Sequence, residues 1–279
     1  MILLYADDNE WEFETLTFSG GEEHIQLSER KSYPGSVEVI AKIHNSKDLM
    51  QMIMVLDAVK SNYPDVFLDL HMPYFPYSRQ DRVCATGQAN AKNRLLKIVT
   101  DDLADCITTW DLHSRNGETD QSTKIFNIRL CDIVAESGFT IPKSNIIVTP
   151  DKGAIERAEQ VAEINDNPLI QLDKKRNPSN GHIEGMQLAS NPDVKIKGKT
   201  CWIVDDICDG GYTFVLAAKL LRELGAKEIT LLVTHGIFSK GLSVFDGLID
   251  TVMSTNSFPA PEPTKHTSYH ELLTESIFE

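Results

Sequence analysis

The sequence predicts an α/β protein of two similar domains, each a mostly parallel sheet with flanking helices. Three observations point there. Short apolar β-like runs alternate with segments of helical period along most of the chain, and a Gly- and Pro-bearing stretch at 138–144 separates two similar halves. The clusters of polar, chemically capable residues follow directly after the apolar runs rather than lying inside them. The expected division is therefore 1–140 and 141–279.

In the first half, Met1-Ile-Leu-Leu-Tyr5 gives way at once to Ala-Asp-Asp-Asn-Glu10. That is too short and too acidic for a secretory signal or a membrane span, and it leaves no helix between Tyr5 and Trp11. Strands are expected at 37–43, 65–70 and 105–110, and helices near 47–62, 89–100 and 127–137. The second half repeats the rhythm, with strands at 145–148, 168–172, 200–204 and 229–234 and helices near 153–164 and 213–224, the last ending at Gly225. Residues 175–199, rich in Asn, Pro and Gly, show no periodicity and are expected to form a loop.

Composition sets the outer limits. At 279 residues, 41% hydrophobic and 24% charged, the chain has the make-up of a soluble globular protein with room for two cores. Its 27 basic against 41 acidic residues give a net charge of −14, which excludes a broad nucleic-acid or anionic-membrane surface and confines any phosphate binding to a local site. Five cysteines, none in a C-x-x-C pair, fit reduced thiols and a cytoplasmic location. Cys208, although inside the most polar motif, is expected to be a small filler.

That motif runs from Cys201 to Thr213. An apolar strand leads into Asp205 and Asp206, then Asp209, Gly210, Gly211, Tyr212 and Thr213, and then into a helix. A strand-to-helix turn of this kind exposes backbone N–H groups at the positive end of a helix. Glycines let an anion approach closely, and Thr213 adds a hydroxyl donor. Asp205 and Asp206 accept hydrogen bonds only, which suits the vicinal hydroxyls of a ribose, directly or through a divalent cation. A sugar phosphate is the expected ligand, against the plainer alternative of an acidic surface turn.

The motif resembles the phosphoribosyl-diphosphate (PRPP) binding signature shared by phosphoribosyltransferases and ribose-phosphate pyrophosphokinases. Three further segments favour the second family: Phe18-Ser-Gly-Gly-Glu22, Pro73-Tyr-Phe-Pro-Tyr-Ser-Arg-Gln-Asp-Arg82, and Asp111-Leu-His113 with Thr149-Pro-Asp151. With Asp173-Lys-Lys-Arg176 the resemblance spans residues 16–258. It implies a phosphoribosyltransferase-like fold and transfer of diphosphate from ATP, with Mg2+, to the anomeric hydroxyl of ribose 5-phosphate. It also implies site roles. Phe18, Glu22, Arg79, Gln80 and Asp81 would bind ATP, with Phe18 supplied from a neighbouring copy in a homo-oligomer. His113 and Asp151 would contact the metal. Lys174, Arg176 and His113 would be catalytic, the two cations neutralising charge on the moving diphosphate. Residues 205, 206, 209 and 210–213 would hold the ribose phosphate.

Taken singly, several of these residues have plainer readings: His113 as a structural histidine, Lys174 to Arg176 as a solvated basic turn, Phe18 as an edge aromatic. His266 and His270, four apart, sit in a Pro- and Thr-rich stretch and are expected to be solvated rather than zinc-binding. His235 and Ser239 resemble another loop near the ribose, with a buried structural His235 as the alternative.

Three departures from the family pattern stand out. Gly20 replaces a carboxylate, residues 83–91 replace an arginine-rich loop for which Arg82, Lys92 or Arg94 would have to substitute, and Tyr212 occupies the close-approach turn. The last opens a second acceptor, a 5′-extended ribose such as ADP-ribose; separately, a ribosyl diphosphate product is compatible with a place in NAD salvage. A phosphoribosyltransferase and a non-catalytic regulatory subunit are the remaining alternatives.

Overall fold

Short runs rich in valine, isoleucine and leucine mark most of the predicted strands, and the computed structural model pairs those strands into two separate sheets. It describes residues 1–114, 124–176, 183–189, 194–272 and 274, without the side chains of Asp102, Lys124, Arg176, Ile183 and Glu184. Two compact units divide at Ile128/Arg129, ahead of the 138–144 stretch.

The first unit opens with β1 (Ile2–Ala6) and β2 (Asn9–Glu10), a tight hairpin that leaves no room for a helix. A second hairpin follows, β3 (Phe13–Thr17) and β4 (Glu23–Leu27), then β5 (Ser36–Ala41) and α1 (Ser46–Asn62). Asn45 caps α1 by accepting from the Asp48 N–H at 3.0 Å. Met52, Val55, Leu56 and Val59, spaced for one helical face, are buried. Next come β6 (Phe67–His71), α2 (Ala91–Asp102), β7 (Cys106–Trp110) and β8 (Lys124–Ile128). The sheet order is β2-β1-β5-β6-β7-β8, parallel from β5 onward. The apolar faces of β5, β6, α1 and α2 close one core around Val37, Val39, Leu68, Leu70, Leu95 and Val99.

The second unit holds α3 (Leu130–Glu136), β9 (Ile146–Thr149), a 3-10 turn (Lys152–Ala154) and α4 (Ile155–Asn165). It continues with β10 (Leu169–Arg176), β11 (Ile183–Leu188), β12 (Thr200–Cys208), α5 (Tyr212–Glu223) and β13 (Glu228–Gly236). A 3-10 turn (Leu242–Phe245), β14 (Thr251–Ser254) and β15 (Ser268–Glu271) complete it. Its sheet order is β11-β10-β9-β12-β13-β14-β15, parallel except for the β10–β11 hairpin. β12 lies at the centre, buried on both sides, which is why its sequence is a continuous apolar run. Phe214, Ala217, Ala218 and Leu221 of α5 pack on Cys201, Ile203, Ile229 and Leu231.

Two expectations are corrected. Residues 127–137 are not one helix: Ile125 to Ile128 pair with β7, and α3 starts only at Leu130. Asp132 sets that start, because its carboxylate bonds both the Arg129 N–H and the Arg129 guanidinium. Residues 175–199 are not one loop either, since β10 runs on to Arg176 and β11 returns antiparallel to it. A polar hairpin of this kind gives no apolar period to read. His266 lies in a bend and His270 on β15, so their spacing is not helical. Among the described residues no helix is long and apolar enough to cross a membrane.

Leu221 is fully buried beneath α5. Leu221→Ala is expected to cost about 2–5 kcal/mol through lost burial and a residual cavity. A urea midpoint equal to that of the parent chain would show that this cluster does not hold α5 to its sheet.

Candidate active site

β12 delivers its two carboxylates where its pairing to β9 has ended. Asp206 is buried and Asp205 half-buried, and Asp205 Oδ1 accepts from the Asp206 N–H at 2.9 Å. Arg157, reaching over from α4, places one guanidinium nitrogen 3.8 Å from Asp205 Oδ1 and the other 4.0 Å from Asp206 Oδ2. Its side chain is only 11% exposed. Burial, with the adjoining Asp206 charge, pushes the Asp205 carboxyl well above the usual range, and Arg157 offsets only part of this.

The turn after β12 closes on Gly211, at φ 76° the N-cap residue of α5. Glycine is required there twice over: the conformation disfavours a side chain, and an added Cβ would stand 2.7 Å from the Phe245 ring. No side chain caps α5, so its first N–H groups face outward from the positive helix end. Tyr212 is 59% exposed beside them and Thr213 half-buried. Asp209 Oδ1 accepts from Ser239 Oγ at 2.6 Å. Cys208 is buried, and burial together with Asp205 and Asp209 pushes its thiol up, so it is a filler and not a nucleophile.

On the same strand-end rim of this unit, Lys174 Nζ lies 2.6 Å from Asp151 Oδ2. Asp151 follows β9, its other oxygen accepting from the Gly153 N–H at 2.9 Å, while Thr149 Oγ1 donates to the Asp151 carbonyl at 2.7 Å. Lys175 is exposed. Arg176 ends β10, and its side chain lies outside the described residues. His235 is buried with Nδ1 2.9 Å from Ser257 Oγ, the structural role rather than a ligand role. A 540 Å3 cleft between Ser137 to Phe139 and the β12–β15 face, lined by Trp202, Thr230 and Thr251, opens near the other ends of these strands.

The first unit carries the remaining residues. Phe18 sits at the tip of the β3–β4 hairpin, 49% exposed, in a turn closed by the Phe18 N–H to Glu22 carbonyl bond at 2.8 Å. Glu22 is exposed. Arg79 and Gln80 are exposed and Asp81 half-buried in the segment after β6, where the Gln80 N–H bonds the Tyr77 carbonyl at 2.7 Å. His113, exposed, follows β7 behind a buried Asp111 at φ 41°. Lys92 does not offer the exposed cation expected of it: it is 3% exposed, and Nζ donates to the Ser114 carbonyl at 2.6 Å. Arg82 and Arg94 are exposed.

Among the described residues no group of three or more His, Cys, Asp or Glu is arranged to hold a metal ion. A magnesium ion, which takes few protein ligands and keeps waters and phosphate oxygens, does not need such a cage. Asp151, a partly exposed hard-oxygen donor, fits an anchor of that kind. Sequence reasoning missed Arg157, because nothing local in Glu156-Arg157-Ala158 ties a helical arginine to carboxylates far along the chain.

The class these features define is the phosphoribosyl-transfer fold, and residues 124–255 match the phosphoribosyl transferase domain. More narrowly, the chain belongs to the ribose-phosphate pyrophosphokinase family. It is 31% identical to the ribose-phosphate pyrophosphokinase of Thermococcus kodakarensis over 90% of this chain and 87% of that one. It is 30% identical to that of Mycoplasma genitalium, over 87% of this chain and 74% of that one. The phosphoribosylpyrophosphate synthetase structure from Mycobacterium smegmatis superposes with a TM-score of 0.76 at 23% identity, covering 94% of this chain and 86% of that one, and confirms the fold.

The state of Asp205 can be checked by heat. Because its folded pKa is raised, its contribution to stability is fully present below its unfolded value, about pH 3.9, and is lost as pH rises through the folded value. Asp205→Asn should therefore melt above the parent chain at pH 8, with the gap closing toward pH 4. A gap that stays constant would show that the fold does not favour the neutral carboxyl.

Proposed function

We propose that this chain is a magnesium-dependent diphosphotransferase that makes PRPP and AMP from ATP and ribose 5-phosphate. The observation that carries this is the uncapped start of α5 behind Asp205 and Asp206, on the same rim as the Lys174–Asp151 pair. The first is an anion cradle next to hydroxyl acceptors, and the second is a cation at a site suited to a metal-bound polyphosphate. Family membership supports the same reaction.

In this reading the acceptor's 5′-phosphate rests on the N–H groups of residues 211–213, with Asp209, Gly210 and Thr213 shaping the pocket. Asp205 and Asp206 take its ribose hydroxyls. Bound hydroxyl donors would relieve the burden of two adjoining carboxylates. The anomeric oxygen bonds to the β-phosphorus of ATP, the bond from that phosphorus to the α,β-bridging oxygen breaks, AMP leaves, and the hydroxyl proton passes to solvent. Lys174 and Arg176 neutralise charge on the moving group. By resemblance to the family, Asp151 of the second unit and His113 of the first are the candidate contacts for a magnesium ion, which would supply charge screening for the polyphosphate. Phe18, Glu22, Arg79, Gln80 and Asp81 bind ATP. The exposure of Phe18 at a hairpin tip supports its use by a second copy in a homo-oligomer.

A second acceptor is favoured by one observation. Tyr212, 59% exposed at the mouth of the cradle, offers a stacking face that ribose 5-phosphate cannot use and a 5′-extended ribose such as ADP-ribose can. A phosphoribosyltransferase would leave Arg79 to Asp81 and Asp111 to His113 without a task. A non-catalytic subunit would leave the Lys174–Asp151 pair without one.

Purified chain with ATP and Mg2+ should release AMP with ribose 5-phosphate, and running ADP-ribose in parallel with products weighed by mass decides the acceptor. No AMP with either would sink the diphosphotransfer reading. Lys174→Ala should lower kcat on the order of 100-fold with a much smaller change in the KM for ATP. Comparable losses in both would assign Lys174 to ground-state binding instead. Tyr212→Gly should improve use of ribose 5-phosphate if the ring only crowds the phosphate, and should impair use of an extended acceptor if the ring stacks on it.

A further inference from the structure

We infer that Lys240 is a specificity-determining residue whose ammonium binds the 5′-phosphate oxygens of the acceptor. This rests on the assignment of the α5 cradle above.

The turn of residues 208–211 has a lid of its own chain. Ile237 and Phe238 both donate their N–H groups to the Cys208 carbonyl, at 2.9 and 3.0 Å, and Ser239 Oγ donates to Asp209 Oδ1 at 2.6 Å. Phe238 takes φ 45°, and the Gly241 N–H bonds back to the Phe238 carbonyl at 2.8 Å. Four hydrogen bonds and one left-handed residue thus fix the approach of residue 240. Its stem runs over Gly210, where an added Cβ would find Lys240 Cε at 3.6 Å and Nζ at 4.0 Å. The lysine stem therefore lies within van der Waals reach of the turn.

Charge gives that placement a purpose. Asp206 and Asp209 lie at the turn, and a phosphate dianion settling on α5 meets their repulsion. Two cations of this rim already face carboxylates: Arg157 the pair on β12, and Lys174 Asp151. Lys240 is exposed and makes no ion pair among the described residues. An ammonium on a flexible stem suits a phosphate as a movable point charge, complementing the fixed N–H groups of the helix start. Sequence reading stopped at Ser239 because a lysine one residue on, in an ordinary turn, carries no signal until the loop is folded over Gly210.

The test uses Lys240→Gln and Lys240→Arg in the full chain. Lys240→Gln should raise the KM for the acceptor by about 10-fold or more, as expected for losing a charge-assisted bond, and by a larger factor than any fall in kcat. Lys240→Arg should recover most of that loss. Alongside, inorganic phosphate should raise the melting temperature of the parent chain, and that rise should shrink in Lys240→Gln. An unchanged acceptor KM, or an equal phosphate-induced shift in the parent and the Gln variant, overturns the inference. Should the parent chain release no AMP at all, the reaction assignment fails separately, and the phosphate shift alone decides whether Lys240 belongs to an anion site.

Discussion

Arg157 facing Asp205 and Asp206 is the interaction around which the second unit is arranged. Two adjoining carboxylates at the end of a central strand repel each other and lose hydration as the sheet closes, so the fold must bring a cation to them. It does so through β9: the strand ends at Thr149, Asp151 caps the short 3-10 turn that follows, and α4 starts one turn later with Arg157 directed at β12. Asp151 and Lys174 are set by the same path, since β9 pairs with both β10 and β12. One structural cation thus offsets part of the charge of both carboxylates, beside strands whose register is set by their backbone pairing with β9.

Both units apply one rule of construction. Parallel strands bury their apolar runs, and the polar residues that follow are released at the carboxyl ends, where open α/β sheets collect ligands. β6 is followed by Arg79, β7 by His113, β9 by Asp151, β12 by Asp205 to Thr213 and β13 by Ser239 and Lys240. Some of the left-handed backbone lies there as well, the rest being at the β1–β2 turn (Asp7, Asp8) and the end of α4 (Asp166). Tyr77, Asp111 and Phe238 all take positive φ without being glycine, each within a few residues of a proposed ligand contact.

The sequence made the buried strands and the long helices legible, because apolar period survives folding: 200–204, 229–234, 47–62 and 213–224 all fall within or close to the observed elements. The edges were not legible. β2, β3, β4, β11 and β15 bury one face or none, so their residues alternate weakly. β8 was hidden by the helix that begins two residues after it. In the site, motif residues could be found because their chemistry is local in sequence, whereas Arg157, Lys92 and Lys240 act across long separations. Lys92 shows how residue type misleads: a lysine expected to serve as a site cation is in fact a buried brace for the segment after His113.

The β3–β4 hairpin is braced as well as paired. Gln51 of α1 donates to Glu23 Oε2 at 2.8 Å, Thr17 Oγ1 to Glu23 Oε1 at 2.9 Å, and Lys47 Nζ to Thr17 Oγ1 at 2.9 Å. The ring at its tip is therefore held out to solvent by a stiff arm. Ordering a free loop around an aromatic anchor would subtract from the affinity of any encounter, and here that entropy has been given up already, when the chain folds. In the proposed homo-oligomer Phe18 would be a preset anchor, and the strength with which a second copy took it would depend on the fit of that surface more than on the hairpin.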